Sequence, residues 1–434
     1  MQLKLLPLGT SSAIPNSTRC QSSLALLLPS TTTLLFDCGE STQRQLHRFR
    51  TSIKRTRIHK IFITHLHGDH IFGLCPLLLN IIEGNGGLVG ATDPRLAGTT
   101  EKQKKRKETE PDVEIFGPVG IRAFVRANLR GTYAVLDGWI RINELHPAPS
   151  PDGTLPDPAH DVYVRELPGR NILPTHDSCW TDILTTPEYT VSAGPIVHSC
   201  PSVGYVIQLA PQKQTIPPTY KDTLLEFSDH FKSVGIKQPL SLLRDVQAGW
   251  EPREDVPKEV VSEEGIHLPN GRVLPRLGMK RGRKITILGD TCDPSPLTEI
   301  ARGSDVLVHE ATNAFLPDLD TSLKATDTYE VIEHRTISRG HSTPEMAGRF
   351  AARIELGQTG GLEDDEEKGV LVLNHFSSRY EDDMADGEDG RSMKVMTAIR
   401  ECAVKAWKEA VEKEGREWKG RVECARDGVE VVVK

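Results

Sequence analysis

The sequence predicts an α/β fold with two blocks of strands and helices. In the first block, short apolar runs at residues 3–8, 23–28 and 34–37 are separated by polar loops, which is typical of β-strands. In the second block, strand-like and helix-like runs alternate, as they do in βα units. The 434-residue chain can bury a large core, either as one domain with insertions or as two or three domains.

Each block contains recognisable elements. In the first, a β-branched and aromatic run at residues 60–64 predicts a strand that leads into a polar turn, and the apolar stretch 74–82 predicts a buried helix. The second block has candidate elements at residues 284–288, 306–309, 343–354 and 369–375, followed by a helix at 392–418 and a strand at 429–433.

Three polar stretches interrupt this pattern. Residues near 91–111 and 147–182 have the composition of insertions, and the first includes a basic run at 102–107. Residues 208–283 separate the two blocks and are polar and irregular, which indicates an excursion from the main fold. We therefore expect the segments 1–207, 208–283 and 284–434.

The net charge and the cysteine spacing limit the kinds of binding and metal site that the protein can have. The net charge of −7 offers no overall attraction to nucleic acid, so RNA binding would depend on local basic patches. The eight cysteines include no C-x-x-C pair, which argues against a disulfide framework and a thiolate zinc site. The sequence shows neither a signal-peptide pattern nor an apolar run near the roughly 20 residues that span a bilayer. We expect an intracellular protein without membrane association.

The strongest chemical signal is a hexapeptide at the end of the predicted strand 60–64. It holds three imidazoles and one carboxylate, on His65, His67, Asp69 and His70. Residues two apart in an extended chain point the same way, so His65 and His67 can share a cation, while Gly68 lets the chain turn. Nitrogen and carboxylate ligands suit zinc, although manganese accepts them too. The spacing predicts two metals side by side.

One hexapeptide supplies only part of two coordination shells. His198, Asp290 and His375 each follow a predicted strand and are candidates for the remaining ligands. Taken singly, each of the three is more often a surface or core residue than a ligand. Together they would complete two sites.

The motif His65-x-His67-x-Asp69-His70 resembles the signature of the metallo-β-lactamase fold, and the chain more narrowly resembles the ribonuclease Z family. The narrower likeness depends on motifs that follow in order from residue 8 to residue 380, at residues 8–11, 35–43, 61–64, 115–118, 204–205, 285–291, 309–312, 341–343 and 375–380. The resemblance implies an αββα sandwich of two mixed sheets with outer helices, and removal of the 3′ trailer from precursor tRNA, usually by a homodimer.

The resemblance also implies roles for individual residues. One zinc would bind His65, His67 and His198, the other Asp69, His70 and His375, with Asp290 bridging the two. Asp69 would accept a proton, His341 would protonate the leaving group, and Glu310 would orient His341. Without the resemblance, His341 and Glu310 would pass for ordinary loop and strand-end residues.

Basic residues cluster at two places that RNA could contact. Seven Lys and Arg residues lie within 44–60, immediately before the metal motif, where a solvated surface is an equal interpretation. The second cluster closes the 208–283 excursion, which in ribonuclease Z corresponds to a tRNA-binding arm. Its candidate substrate-binding residues are Arg276, Lys280, Arg281 and Arg283.

Two other functions are compatible with parts of the sequence. A hydrolase of the same fold acting on a small ester or phosphodiester would share the metal motif but would not need a projecting basic arm. A non-catalytic RNA-binding protein would not need intact metal ligands. Metal content and activity on a 3′-extended tRNA discriminate among the three.

Overall fold

The computed structural model describes residues 2–82, 110–148, 153–175, 178–249, 251, 253, 255–358, 369–387 and 390–433. The basic run 102–107 and nearly all of the predicted insertion 91–111 lie outside these residues. The chain divides into two compact units: Met1–Thr186, Thr190–Ile207 and Lys284–Lys434 form the first, and Pro187–Tyr189 with Gln208–Arg283 the second.

The strands, in chain order, are β1 (Leu3–Gly9), β2 (Ser11–Ser12), β3 (Ser23–Leu27), β4 (Thr33–Phe36), β5 (Ile58–Phe62), β6 (Val113–Pro118), β7 (Ile140–Leu145), β8 (Glu166–Leu167), β9 (Asn171–Ile172), β10 (Trp180–Thr185), β11 (Tyr189–Ile196), β12 (Ser202–Leu209), β13 (Gln212–Lys213), β14 (Gly265–His267), β15 (Val273–Pro275), β16 (Met279–Lys280), β17 (Lys284–Ile287), β18 (Val306–Glu310), β19 (Gly369–Asn374), β20 (Phe376–Ser377), β21 (Gly420–Cys424) and β22 (Val431–Val433).

The α-helices are α1 (Thr42–Arg48), α2 (Gly68–Ile71), α3 (Leu74–Ile81), α4 (Ile121–Gly131), α5 (Pro218–Glu226), α6 (Ser228–Ser233), α7 (Thr298–Ala301), α8 (Tyr329–Ile337), α9 (Pro344–Arg353) and α10 (Arg391–Lys413). Short 3-10 helices cover Arg55–Arg57, Pro239–Val246 and Ser295–Leu297. Among the described residues, no helix is both long enough and apolar enough to cross a membrane.

Two mixed sheets form the first unit. In the described residues, the first sheet runs β22-β1-β3-β4-β5-β6-β7-β8, with β9 also paired to β7, and the second runs β10-β11-β12-β17-β18-β19-β21. β1, β3 and β4 are antiparallel neighbours, whereas β4 to β7 are parallel. In the second sheet β17, β18, β19 and β21 are parallel. The prediction of an α/β fold is confirmed.

Each sheet carries helices on one face. Buried apolar residues of the first sheet, such as Ile61 and Ile115, join Leu46 of α1, Leu77 of α3 and Val125 of α4 in one core cluster. α9 and α10 supply most of the helical residues in the corresponding core of the second sheet. Close approach of these two helices depends on Gly348, because a Cβ there would lie 2.4 Å from the carbonyl oxygen of Ala403.

Aromatic side chains fill the space between the sheets. The rings of Phe36 and Phe116 stack on Phe62, with centroids 5.1 and 5.2 Å from its centroid. Tyr205 from β12 of the second sheet packs edge-on against Phe62, and its hydroxyl donates to the carbonyl of Ile63 at 2.7 Å. The buried phenol is thus hydrogen-bonded. The two sheets therefore pack face to face with helices outside.

Part of the predicted insertion 147–182 extends the first sheet. Within it, β8 and β9 pair in parallel with β7 and extend the first sheet. The buried carboxylate of Glu166 accepts two hydrogen bonds from Arg126 of α4, both 2.8 Å long. The sequence does not predict these two strands. Each is only two residues long, lies in a Pro- and Asp-rich segment, and is stabilised by pairing with β7, which is distant in sequence.

The second unit has its own small core. Leu224 of α5 and Phe231 of α6 pack against Leu242, Val246 and Ile266. Two antiparallel strand pairs, β13 with β16 and β14 with β15, complete the unit. The sequence pattern predicted none of these strands, because each is only two or three residues long.

Candidate active site

The predicted ligand residues lie at strand ends. The hexapeptide 65–70 follows β5, and His198 follows β11. Asp290, Glu310 and His375 come at or just after the carboxyl ends of β17, β18 and β19, which are parallel neighbours. Carboxyl ends of parallel strands meet at one edge of a sheet, which brings side chains distant in sequence to one place.

The first group consists of three imidazoles. Nε2 of His65 lies 3.1 Å from Nδ1 of His67, and Nε2 of His198 lies 3.2 Å from the same nitrogen. Sγ of Cys200 lies within 4.8 Å of these ligand atoms. Cys200 was not predicted from the sequence, although its place two residues after His198, in the loop between β11 and β12, is a signal that could have identified it.

The second group contains Asp69, His70 and His375. Nε2 of His375 lies 3.3 Å from Nε2 of His70 and 3.4 Å from Oδ2 of Asp69. Oδ2 of Asp69 also accepts the backbone N–H of Ala13 at 2.7 Å. α2 positions Asp69 and His70 because the chain turns into this helix at Gly68.

Asp290 lies between the two groups. Its carboxylate oxygens are 3.3 Å from Nε2 of His70 and 3.2 Å from Nε2 of His375. Oδ2 of Asp290 is also 3.8 Å from Nε2 of His65 and 4.0 Å from Nε2 of His198. The structure thus brings all seven predicted ligand residues together around one buried carboxylate.

The donor set fits a pair of metal ions. In tetrahedral zinc sites with ligand bonds of 2.0–2.1 Å, neighbouring ligand atoms are about 3.3 Å apart. The nitrogen–nitrogen distances from His67 to His65 and to His198 are 3.1 and 3.2 Å, and the distance between His70 and His375 is 3.3 Å. Burial lowers the pKa of His65, which favours the neutral imidazole that a metal requires.

Asp37 supports the second group from behind. Its Oδ2 accepts a hydrogen bond of 2.7 Å from Nδ1 of His70, and its carboxylate also accepts the backbone N–H and hydroxyl of Thr64 at 2.7 and 2.8 Å. Such a carboxylate fixes the tautomer and orientation of a ligating histidine. Asp37 belongs to a motif that the sequence analysis quoted, but nothing local assigned it this role.

Two residues at the site adopt left-handed backbone. Asp37 has φ 57° and His375 has φ 55°. This region is costly for residues other than glycine, and such strain clusters at functional sites. Each of the two residues lies directly after a strand, and the backbone changes direction there, which brings the side chain to the site.

The buried Glu310 and the half-buried His341 form a dyad beside the candidate metal ligands. Nδ1 of His341 lies 3.2 Å from each carboxylate oxygen of Glu310 and 3.8 Å from Oδ2 of Asp290. Burial opposes protonation of His341, but Glu310 outweighs it and raises the pKa of His341 to about 9. The carboxylate of Glu310 thus favours the protonated imidazole.

Several groups hold Glu310 in place. The backbone N–H of Thr291 and of Ser342 donate to its two oxygens at 2.6 and 3.0 Å. The hydroxyl of Thr312 donates to Oε2 at 2.5 Å and lies 3.1 Å from Nδ1 of His375. Thr312 therefore connects the dyad to a candidate metal ligand, a link that the sequence analysis did not find.

The predicted substrate-binding residues lie in the second unit. Lys280 is in β16, and Arg281 is exposed. Arg276 is engaged within the unit, since its guanidinium donates to the carbonyl oxygens of Glu263 and Asp245 at 2.9 and 2.6 Å. Arg283 is half-buried. RNA binding by these four residues stays a prediction.

Comparison with known proteins identifies the family. The family described as "Anti-Pycsar protein Apyc1" matches residues 3–82, which include the hexapeptide. Ribonuclease Z of Anoxybacillus flavithermus is 32% identical over 390 residues, which cover 88% of this chain and 90% of that protein. The chain belongs to the ribonuclease Z family.

Other members of the ribonuclease Z family agree with this assignment. The human protein named zinc phosphodiesterase ELAC protein 1 is 29% identical over 389 residues, 88% of each chain. The crystal structure of human tRNase Z, short form, superposes with a TM-score of 0.52 at 24% identity and covers 99% of both chains. The predicted metallo-β-lactamase fold and the predicted endoribonuclease class are confirmed.

Proposed function

We propose that the chain is a zinc-dependent endoribonuclease that removes the 3′ trailer from precursor tRNA. The proposal depends on one observation: seven histidine and aspartate side chains from distant parts of the sequence converge in two adjoining groups, with His341 and Glu310 beside them. Membership of the ribonuclease Z family supports RNA as the substrate. Two zinc ions per chain and a homodimer are part of the proposal.

We assign the ligands from the geometry of the two groups. His65, His67 and His198 would hold one zinc, Asp69, His70 and His375 the other, and Asp290 would contact both. Cys200 is a further donor within reach of the first ion. When bound, the two ions would lower the pKa of a water molecule and polarise the phosphate group.

The protein's own groups would move the protons. The water oxygen would attack phosphorus as the bond from phosphorus to the ribose 3′ oxygen breaks. Asp69 would accept the proton that the water loses, because its Oδ2 borders the second group. His341 would donate its proton to the departing 3′ oxygen, and Glu310 would hold it in orientation.

These steps balance and define the products. The tRNA would retain a 3′-hydroxyl, and the trailer would carry a 5′-phosphate. A phosphate on the tRNA 3′ end would instead mean that the 5′ oxygen of the trailer is the leaving group, or that the ribose 2′-hydroxyl attacks phosphorus.

The direct test is cleavage of a 3′-extended tRNA transcript by the purified protein. We expect one cut at the 3′ side of the tRNA, a 5′-phosphate on the released trailer, and about two zinc ions per chain by elemental analysis. Absence of cleavage by protein that carries this zinc would contradict the RNA substrate. Absence of zinc after purification without chelators would contradict the mechanism.

A further inference from the structure

A basic surface precedes the hexapeptide 65–70 along the chain. Between Glu40 and Asp69 the sequence has no Asp or Glu, although the chain has 60 acidic residues in 434, and the same stretch holds seven Lys and Arg residues. Four of the seven lie on α1 and the loop after it, are exposed, and form no ion pair with any residue that the structure describes: Arg44, Arg48, Arg50 and Lys54. We call these four residues the α1 basic surface.

Two features together distinguish this surface from other cations of the first unit: it forms no ion pair with a described residue, and no acidic residue lies within residues 41–68. The cations of α10, by contrast, alternate with Glu401, Glu409 and Glu412. Arg122, Arg130 and Arg426, for example, each form an ion pair of 3.1 Å or less with a carboxylate. Like charges placed together repel each other unless an anion lies between them. An exposed, unpaired cluster in a chain with a net charge of −7 therefore favours an anionic partner at this surface.

The α1 basic surface begins next to the candidate metal ligands. The backbone N–H of Cys38 donates to the carbonyl of His70 at 2.7 Å, and the N–H of Gly73 donates to the carbonyl of Cys38 at 2.9 Å. A Cβ on Gly39 would lie 2.5 Å from the carbonyl oxygen of Asp69. The segment that enters α1 is thus packed directly against α2, which carries Asp69 and His70.

The surface also has the extent of a nucleic-acid contact. α1 has seven residues and is therefore roughly 10 Å long. Arg44 and Arg48 are four residues apart, so they lie on one face of α1, and Arg50 and Lys54 continue beyond its end. Guanidinium groups bind phosphate with two parallel hydrogen bonds, which suits arginine to this task.

We propose that the α1 basic surface binds the phosphate backbone of the base-paired RNA segment next to the cleaved bond. The inference rests on the proposed function, because that function supplies a structured RNA whose helix ends at the site. A small phosphodiester would reach the metal ligands without meeting these four residues. The surface therefore contributes to RNA affinity and leaves the chemical step unchanged.

The test compares two full-length variants that each lose four positive charges. One carries R44A, R48A, R50A and K54A. The control carries K394A, R400A, K405A and K413A on α10, which are also exposed and form no ion pair with a described residue. Thermal unfolding of both variants verifies that the fold is intact.

We expect the first variant to raise KM for a 3′-extended tRNA about 10- to 100-fold with little change in kcat. The salt dependence of RNA binding should weaken by about 0.9 in logarithmic slope for each lost phosphate contact on duplex RNA, taking the value for duplex DNA. Hydrolysis of bis(p-nitrophenyl) phosphate should not change in either variant.

An equal rise in KM for the control, or an unchanged KM and salt slope for the first variant, would overturn the α1 proposal. Failure of the wild-type protein to cut the transcript would instead contradict the proposed function, and the salt slope of RNA binding would still report on the surface.

Discussion

At the scale of residues, four hydrogen-bond partners fix the position of the Glu310 carboxylate. Its two oxygens are occupied by the N–H groups of Thr291 and Ser342, the hydroxyl of Thr312 and the ring of His341. Because this buried carboxylate is held on all sides, the orientation of His341 is set before substrate binds, and no reorganisation is needed when the proton moves.

Replacing His341 by Ala should lower kcat on a 3′-extended tRNA by about 10²- to 10⁴-fold while zinc stays bound, because it removes a proton donor but none of the seven assigned ligands. Asp69→Ala is the companion variant and should reduce both zinc content and cleavage. Loss of zinc from His341→Ala would show that our division of roles is wrong. Single-turnover rates and elemental analysis measure both quantities.

Replacing Thr312 by Val keeps the shape but removes the hydroxyl between Glu310 and His375. We expect kcat to fall about 10- to 100-fold, as for other groups that orient metal ligands. Thr312→Ser keeps the hydroxyl and should restore most of the rate. Equal defects in the Val and Ser variants would mean that the methyl group, not the hydrogen bond, matters here.

At the scale of elements, close backbone contacts hold the helices that carry the site. α3 begins directly after Gly73, and a Cβ on that residue would lie 2.0 Å from the carbonyl oxygen of Gly39. Backbone atoms cannot move aside as a flexible side chain can. The position of α2 relative to α1 therefore depends on this glycine rather than on a side-chain interaction.

Replacing Gly73 by Ala should destabilise the protein by about 1–3 kcal/mol through overpacking. Gly131→Ala is the matched control, since it lies at the end of α4 with no atom within 4 Å of the added Cβ. That change should stabilise by roughly 0.5–1 kcal/mol. Denaturant unfolding measures both, and equal stability of the two variants would contradict the contact.

At the scale of the whole molecule, the chain has a catalytic unit and a smaller unit inserted between β12 and β17. β12 and β17 are neighbours in the second sheet, so this sheet is continuous without any strand of the second unit between them. The second unit contains a core of its own and contributes none of the seven assigned ligands or the His341 dyad. Such an arrangement would allow the second unit to contribute to RNA binding without taking part in the chemistry.

Replacing Gln208–Arg283 by a short turn should abolish cleavage of a 3′-extended tRNA but spare hydrolysis of bis(p-nitrophenyl) phosphate, because a small substrate needs only the first unit. Zinc content and thermal unfolding of the shortened protein serve as controls for folding. Equal loss of both activities by a folded, zinc-loaded protein would count against a separate RNA-binding role.

The sequence by itself determined the chemistry of the site. His65, His67, Asp69 and His70 are so closely spaced that few arrangements other than a metal site accommodate them, and the family motifs extended this prediction to His198, Asp290 and His375. The α/β class was also readable, because apolar periodicity is a local property of the chain.

Only the tertiary structure decided which groups support these residues. Asp37 lies 33 positions from His70, and Thr312 lies 63 positions from His375, yet both pairs are in hydrogen-bond contact. The two-residue strands β8 and β9 likewise depend on pairing with β7. Such a hydrogen bond or strand pair produces no periodic pattern in the sequence around either partner. Its stabilisation depends on a residue that is distant in sequence and that the fold brings near.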